Sequence, residues 1–363
     1  MAALARTLSA ERVPHGFIFC GPAGVGKALA AKALGKTLLC AKPKRGRGAH
    51  GPREACGKCE QCRLVERDSH PDLYWFRKPP ERAELPIALV TRRQGSPEGP
   101  TINESVQLKP MMAESRVTIV EDAELMNEEA ANAFLKTFEE APEGAYLILV
   151  VTTLERLLPT IRSRGRLLRF AALPDEFVAK LLERDHGMSA EEAQQAARFA
   201  EGSMAQAAAL ARSNFVAFRG EVMTALAGLD RLKALALADA IDAWAGEQAR
   251  SEAENKEAKT KVEENFLRRQ YVKRALGLLA GVFRDALLVA AEGDGAKLLN
   301  ADAGELIGRL ARELPREKIE EAVQRFHEYQ TYVDRNAHIQ LLLENACLEL
   351  AEFCGTTKAE SRK

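Results

Sequence analysis

Short apolar runs separated by longer mixed segments characterise the first 170 residues. Five of these runs have the length and side-chain content of buried strands, and they are 17–20, 70–76, 116–123, 146–151 and 166–170. Helical patterns lie between most of them. Strands that alternate with helices predict a largely parallel sheet covered on both faces, so we expect a three-layer α/β domain over residues 1–171.

The segments between the predicted strands differ in regularity. Residues 1–13 have one amphipathic helical pattern, and the alanine- and leucine-rich segment after residue 28 predicts a helix to about residue 40. A second long helix is expected over 124–140. Residues 77–104 are rich in proline, arginine and glycine without periodicity, which predicts a long loop. Its one apolar run is 87–90.

The strand pattern does not recur after residue 171. Residues 172–212 predict a small module of three helices, and Ser189 with Glu192 forms a capping-box pattern at the start of one of them. Residues 213–363 are predicted to form an all-α domain, with apolar positions at helical spacing. The charged run at 248–264 is balanced in sign, which is typical of a solvated helix face.

A glycine-rich turn follows the first predicted strand and precedes a predicted helix. This is the setting of a phosphate-binding loop, in which backbone N–H groups surround an anion and a lysine reaches the β- and γ-phosphates. The less specific alternative is an ordinary glycine turn. The candidate nucleotide-binding residues here are Gly21, Pro22, Ala23, Gly24, Val25, Gly26, Lys27 and Ala28.

The residues expected to hold magnesium depart from those of an active ATPase. A working loop has Ser or Thr after its lysine, and that hydroxyl holds Mg²⁺; Ala28 offers no oxygen. Glu121 and Asp122 end the third predicted strand, at the sheet edge where ligands bind, but in the order Glu then Asp. Magnesium binding is therefore doubtful, and ATP or ADP binding is expected to be weak.

Three cysteines in two consecutive CxxC steps suggest a structural zinc site. Cys56, Cys59 and Cys62 can place three thiolates on one ion, with Cys40 as the fourth ligand and His50 as a weaker substitute. The site would lie in an insertion over 40–62. The alternative is a set of free surface thiols.

Charge and apolar content restrict the partners. Lys and Arg together number 52, as do Asp and Glu, so any DNA contact must come from a local patch or through a partner. The sequence contains no apolar run long enough to span a bilayer. We therefore expect a cytoplasmic protein without membrane contact.

Several stretches in a fixed order resemble the δ′ subunits of bacterial clamp loaders, the DNA polymerase III components of the AAA+ superfamily. The resemblance covers nearly the whole chain. It is carried by 14–19 before the phosphate loop, the cysteine knuckle, 108–110, 121–140, 159–164 and 341–344.

The resemblance implies an AAA+ domain, a helical lid and a C-terminal collar through which subunits assemble. Its implied partners are the ATPase subunits and the δ subunit of a clamp loader, and through them a sliding clamp and primed DNA. The Arg of the family's Ser-Arg-Cys motif reaches a neighbour's ATP site, and this role maps onto Arg164, followed here by Gly165. The alternative is a generic basic surface or salt-bridge cluster formed with Arg162, Arg166 and Arg169.

The family pattern also places Thr152 at the strand-tip sensor position of the nucleotide site. Ala205 stands where ATPase members often carry a sensing arginine. With Ala28 and the reversed acid pair, these departures predict a subunit that does not hydrolyse ATP itself. Two alternatives are a self-sufficient P-loop ATPase acting on DNA or protein, and a zinc-stabilised scaffold with vestigial nucleotide binding.

Overall fold

The structure is a computed structural model with two compact units. The first unit comprises Met1–Pro174 and Glu201–Gln206, and the second comprises Asp175–Ala200 and Ala207–Lys363. The expected division of the helical part into a lid and a collar stays a prediction. The structure describes residues 4, 7–9, 13–45, 53–79, 82–96, 98–255, 261–293, 298–335 and 337–355.

Seven strands occur in the described part of the first unit. They are β1 (Gly16–Cys20), β2 (Lys44–Arg45), β3 (Arg53–Glu54), β4 (Leu73–Phe76), β5 (Arg116–Glu121), β6 (Ala145–Val151) and β7 (Arg166–Arg169). Five of them form one sheet in the order β4-β5-β6-β1-β7, and all of its pairs are parallel. The five predicted strands are confirmed. Strands β2 and β3 form a separate antiparallel pair within the insertion over 40–62.

Six α-helices of the first unit's main segment lie wholly within the residues that the structure describes. They are α1 (Lys27–Leu39), α2 (Glu60–Glu66), α3 (Ile87–Val90), α4 (Ile102–Gln107), α5 (Glu128–Glu139) and α6 (Pro159–Arg164). The first helical pattern, at 1–13, lies partly outside the described residues. Leu4 and Leu8 within it are helical and pack into the core.

Two predicted segments differ from the structure. The predicted loop over 77–104 contains α3, and α4 begins within it behind a capping box of Thr101 and Glu104, a sequence signal that the loop prediction overlooked. The helix predicted over 124–140 is interrupted. A 3₁₀ turn at Ala123–Leu125 comes first, and α5 begins only after Asn127, whose side chain caps it.

Alternate residues of the sheet enter two different cores. Ile18 of β1 packs in one apolar cluster, while Phe17 and Phe19 pack in the other. This follows from the two-residue period of a strand. Residues of α5 and α6 line the first cluster and residues of α1 line the second, so helices cover both faces and the three-layer prediction is confirmed.

The regular elements in the described residues of the second unit are all helices. Ser189 and Glu192 make both bonds of the predicted capping box. Trp244 stacks on Phe218 with ring centroids 4.0 Å apart and donates to the Ser213 carbonyl at 3.2 Å. The helices, of which α9 begins in the first unit, are α7 (Asp175–His186), α8 (Ala190–Phe199), α9 (Met204–Arg212), α10 (Phe215–Leu226), α11 (Arg231–Asn255), α12 (Lys261–Glu292), α13 (Gly304–Glu313), α14 (Arg316–Asp334) and α15 (Ile339–Gly355).

None of the helices in the described residues is long and apolar enough to cross a bilayer.

A buried ion pair fixes the loop that enters β5. Asp72 and Arg116 are 0% and 2% exposed, and their charged groups lie 3.3 Å apart. The Asp72 carboxylate also accepts the backbone N–H groups of Met111, Met112 and Ala113 at 2.6–2.9 Å. Burial alone would raise the pKa of Asp72, but these donors and Arg116 lower it below the usual value.

Asp72→Asn should lower the free energy of unfolding of the first unit by about 3–5 kcal/mol, because Arg116 would stay buried without its counter-charge. Since the folded-state pKa of Asp72 is depressed, its contribution is complete above about pH 4 and disappears as the pH falls through the folded-state value. Urea unfolding followed by Trp75 fluorescence in a Trp244→Phe background measures both effects.

The matched control is Glu66→Gln. Glu66 pairs with Lys36 on the surface, with 60% of its side chain exposed, so we expect a change of less than about 1 kcal/mol. Equal effects of the two substitutions would contradict the role assigned to the buried pair.

Candidate functional site

The phosphate loop occupies the predicted place between β1 and α1. Gly24 and Gly26 have φ of 76° and 95°, in the left-handed region that favours glycine, and Gly26 is the residue that precedes α1. Gly21, Pro22, Ala23 and Val25 complete the turn, with Val25 buried. The loop therefore has the backbone shape of an anion cradle at a helix start.

The loop's lysine is directed back onto the loop itself. Lys27 is 6% exposed, and its Nζ donates to the carbonyls of Gly21 and Pro22, both at 2.6 Å. Burial lowers the pKa of Lys27, and Glu124 is the group that most opposes this lowering. Two of the three N–H groups of this ammonium are thus satisfied internally.

Residues of the segment Glu201–Gln206 cover the loop. A Cβ placed on Gly24 would lie 2.0 Å from Ser203 Oγ, and the Ala205 N–H lies 3.4 Å from the Gly24 carbonyl. The segment belongs to the first unit. Ala205, which has only a methyl group, offers no charge to a phosphate here.

The predicted acid pair does not form a magnesium centre. Glu121 accepts from the Trp75 indole at 2.5 Å and pairs with Arg77 at 3.4 Å, so its carboxylate is engaged beside β4. Asp122 has φ of 54°, and burial together with Glu124 and Glu121 raises its pKa. With Ala28 at the hydroxyl position, the residues present do not fit a magnesium–nucleotide centre.

Sequence reasoning overlooked the carboxylate that the structure places at the sensor residue. Glu124 is 6% exposed, and its Oε1 accepts the Thr152 N–H at 2.7 Å and the Thr152 hydroxyl at 2.5 Å. Within the described chain its Oε2 meets no hydrogen-bond donor. One feature of the sequence could have pointed to Glu124: it lies three residues after Glu121, in the acidic stretch at the end of β5.

The four candidate zinc ligands come together in one cluster. The sulfurs of Cys40, Cys56, Cys59 and Cys62 all lie within 4.8 Å of one another. The Cys40–Cys59 and Cys56–Cys62 sulfur distances are 3.8 and 3.9 Å. Sulfurs around a tetrahedral zinc lie roughly 3.8 Å apart, as Zn–S bonds of about 2.3 Å require, so this set fits a zinc ion. His50 lies outside the described residues.

The environments of these thiols differ. The backbone N–H groups of Lys58 and Cys59 lower the pKa of Cys56 to about 6, whereas burial raises that of Cys62. Cys56 therefore ionises readily, while Cys62 at the core of the cluster needs a cation to stabilise its thiolate.

A polar chain connects this cluster to the loop before β5. Gln61, between two of the cysteines, donates to the Met112 carbonyl at 3.0 Å and is bonded to the His70 ring at 2.5 Å. The other His70 nitrogen accepts the Asp72 N–H at 3.0 Å. The cysteine cluster and the buried Asp72–Arg116 pair thus support the same loop.

The candidate finger residue lies at the end of α6, just before β7. The Arg164 side chain is 44% exposed, and its Nε pairs with Glu139 at 2.7 Å. It also donates to the Thr160 carbonyl at 3.1 Å. Gly165 leaves room for the Ile18 side chain, because a Cβ there would lie 2.5 Å from Ile18 Cδ1. The ion pair with Glu139 is one contact of the kind expected if Arg164 belonged to a salt-bridge cluster, the alternative to the finger role.

Two family models match the chain. The model of the DNA polymerase III delta subunit matches residues 1–174, and the model of its C-terminal part matches residues 248–352. The delta′ subunit of Escherichia coli is 31% identical over 207 residues, which are 57% of each protein. That of Pseudomonas aeruginosa is 38% identical over 150 residues, 41% of each. These matches span about half the length of the two relatives.

The delta′ subunit of Bacillus subtilis is 25% identical over 354 residues, 97% of this chain and 95% of that protein. A solved structure of a gamma subunit-related protein from Thermotoga maritima covers 94% of this chain and 96% of its own, with 19% identity and a TM-score of 0.42. The strand order and the glycine-rich loop define a P-loop domain of the AAA+ type. The chain belongs to the delta′ family of DNA polymerase III clamp-loader subunits.

The cysteine cluster should bind one divalent metal per chain. Titration of the apoprotein with Co²⁺ is expected to give thiolate–cobalt absorption that Zn²⁺ displaces. Cys62→Ser should weaken binding by at least about 100-fold, more than substitutions outside the ligand shell usually do.

Cys20→Ser is the control, since Cys20 lies in β1 outside the cluster, and it should leave cobalt binding unchanged. Hydrogen exchange should also become faster at 108–113 when the metal is removed, because Gln61 contacts that loop. Equal cobalt spectra for the two variants would contradict the assignment.

Proposed function

We propose that this chain is a non-hydrolysing subunit of a DNA polymerase III clamp loader. In this role it supports the ATP-dependent loading of a sliding clamp on primed DNA and donates Arg164 to the ATP site of a neighbouring subunit. Family membership supports the clamp-loader role. The positions of Arg164 and of the phosphate loop support the finer assignment.

The observation that carries the proposal is the separation of Arg164 from the chain's own phosphate loop. Strands β1 and β7 are parallel, with Phe17 opposite Arg166 and Cys20 opposite Arg169. Arg164 precedes the start of β7, whereas the phosphate loop follows the end of β1. These ends lie roughly 10 Å apart along the strands. A half-exposed guanidinium at the far edge is suited to another subunit's phosphates.

The chain's own pocket lacks the groups for phosphoryl transfer. Ala28 supplies no metal ligand, Glu121 is engaged by Trp75 and Arg77, and Ala205 supplies no positive charge. Each absence removes one means of stabilising the transition-state charge. Weak ATP or ADP binding through the loop N–H groups remains compatible with this proposal.

The cysteine cluster is proposed to hold structural zinc. Four thiolates leave no open position for a substrate, which is the pattern of structural rather than catalytic zinc. The site would stabilise the insertion and, through Gln61, the loop before β5. We also propose a cytoplasmic location, where thiols stay reduced and available for metal.

The helical C-terminal region is proposed to assemble with the other loader subunits. Of its apolar residues at helical spacing, Leu276, Leu279, Phe283 and Leu342 are buried and serve the internal core. Leu341 is 57% exposed and is therefore free to contact a partner. The proposed partners are the ATPase subunits and the δ subunit.

Arg164→Ala should reduce the DNA-stimulated ATPase rate of the reconstituted complex by about 10³-fold or more at the affected site, the magnitude typical of arginine fingers. Steady-state hydrolysis, clamp loading and assembly by gel filtration would be measured together. We expect normal assembly.

Arg162→Ala is the control, because Arg162 is an exposed residue on the same helix, and it should retain near-normal rates. An unchanged ATPase rate and unchanged clamp loading for Arg164→Ala would overturn the finger assignment. Mg²⁺-dependent hydrolysis by the isolated chain, abolished by Lys27→Ala, would instead support a self-sufficient ATPase.

A further inference from the structure

Two residues that would face a bound phosphate, Lys27 and Thr152, are already bonded inside this chain. Two donors of Lys27 are taken by loop carbonyls, and both donors of Thr152 are taken by a single oxygen of Glu124. Lys27 and Thr152 are therefore not free donors awaiting an anion. The Glu124 carboxylate accepts the Thr152 donors that a bound anion would otherwise accept.

We propose that Glu124 is a built-in anion of this pocket, which holds the Thr152 donors and balances the charge of Lys27, so that the pocket discriminates against nucleoside triphosphates. The inference rests on the proposed function, because it names the residue that keeps the pocket inactive. It assigns to Glu124 a specificity role in ligand binding.

Burial gives the Glu124 charge its effect. The residue is 6% exposed, as is Lys27, so water screens their charges little. A carboxylate oxygen without a donor is costly in such a place, and Glu124 Oε2 is one of the few such atoms in the described chain. Burial lowers the pKa of Lys27, and Glu124 is the acid that most opposes this lowering.

The missing hydroxyl makes the carboxylate repulsive toward phosphate. In an active site the acid and the phosphate share a magnesium ion, which the residue after the lysine helps to hold. Ala28 removes that ligand, so a triphosphate entering here would meet the Glu124 charge directly. It would also have to displace Glu124 from Thr152.

The other two acids do not carry this effect. The Glu121 carboxylate is directed to Trp75 and Arg77. The raised pKa of Asp122 reflects burial first and Glu124 second. Glu121 therefore provides a matched control of the same residue type within three positions.

The test is direct binding of a non-hydrolysable ATP analogue to the purified full-length chain, measured by isothermal titration calorimetry with and without Mg²⁺. Glu124→Gln keeps the oxygen that accepts from Thr152 and removes the charge, so the fold should be retained. We expect it to raise affinity about tenfold or more, with a smaller gain for ADP because ADP carries less charge. Glu121→Gln should give no gain.

Two further variants keep the inference falsifiable. Lys27→Ala added to Glu124→Gln should abolish the gain, which shows that the phosphate loop is the site. If Glu124→Gln does not fold, Glu124→Ala replaces it in the binding experiment. Circular dichroism and the urea midpoint show whether each variant is folded. Affinities equal to wild type in folded Glu124 variants, or an equal gain from Glu121→Gln, would overturn the inference.

These outcomes are separable from failure of the proposed function. Hydrolysis by the wild-type chain would overturn the proposed function whatever the Glu124 variants do. Unchanged binding by those variants, with no hydrolysis and with Arg164 still required in the complex, would overturn only the role of Glu124.

Discussion

Parallel pairing of β1 with both of its neighbours is the constraint on which the first unit depends. Because β6 and β7 run in the same direction as β1, the phosphate loop and Thr152 are brought to the carboxyl edge of the sheet, while α6 ends at the amino edge. The register leaves little freedom, since a shift of one residue would exchange the two apolar faces. The close approach of Gly165 to Ile18 further fixes α6 against this strand.

The phosphate loop has the backbone of an anion cradle, but the polar side chains beside it bond within the chain. The loop keeps the left-handed glycines and a lysine, which are backbone and positional features. The Lys27 and Thr152 donors beside it are bonded within the chain, whereas Glu124 Oε2 meets no donor among the described residues. This site thus combines the geometry of a phosphate cradle with internal bonds made by the side chains beside it.

The first unit also uses polar contacts to order an irregular segment. Residues 108–113 have little regular structure, yet Asp72 binds three of their N–H groups and Gln61 donates to one of their carbonyls. Buried polar groups of this kind favour one conformation of the segment. Their desolvation costs free energy, which is offset only when every donor and acceptor is hydrogen-bonded. The cysteine cluster therefore contributes beyond its own insertion, because Gln61 lies between two of its members.

The sequence by itself determined the five-strand sheet, the cysteine set and the phosphate loop, because strand periodicity, CxxC spacing and a glycine-rich turn are local signals. It did not reveal α3 and α4, although Thr101 and Glu104 offered a local cap. Only the tertiary structure decided which acid approaches Thr152 and where Lys27 donates. Those choices depend on how the ends of separate strands meet, and Glu124, Thr152 and Lys27 come from three different segments that no sequence spacing relates.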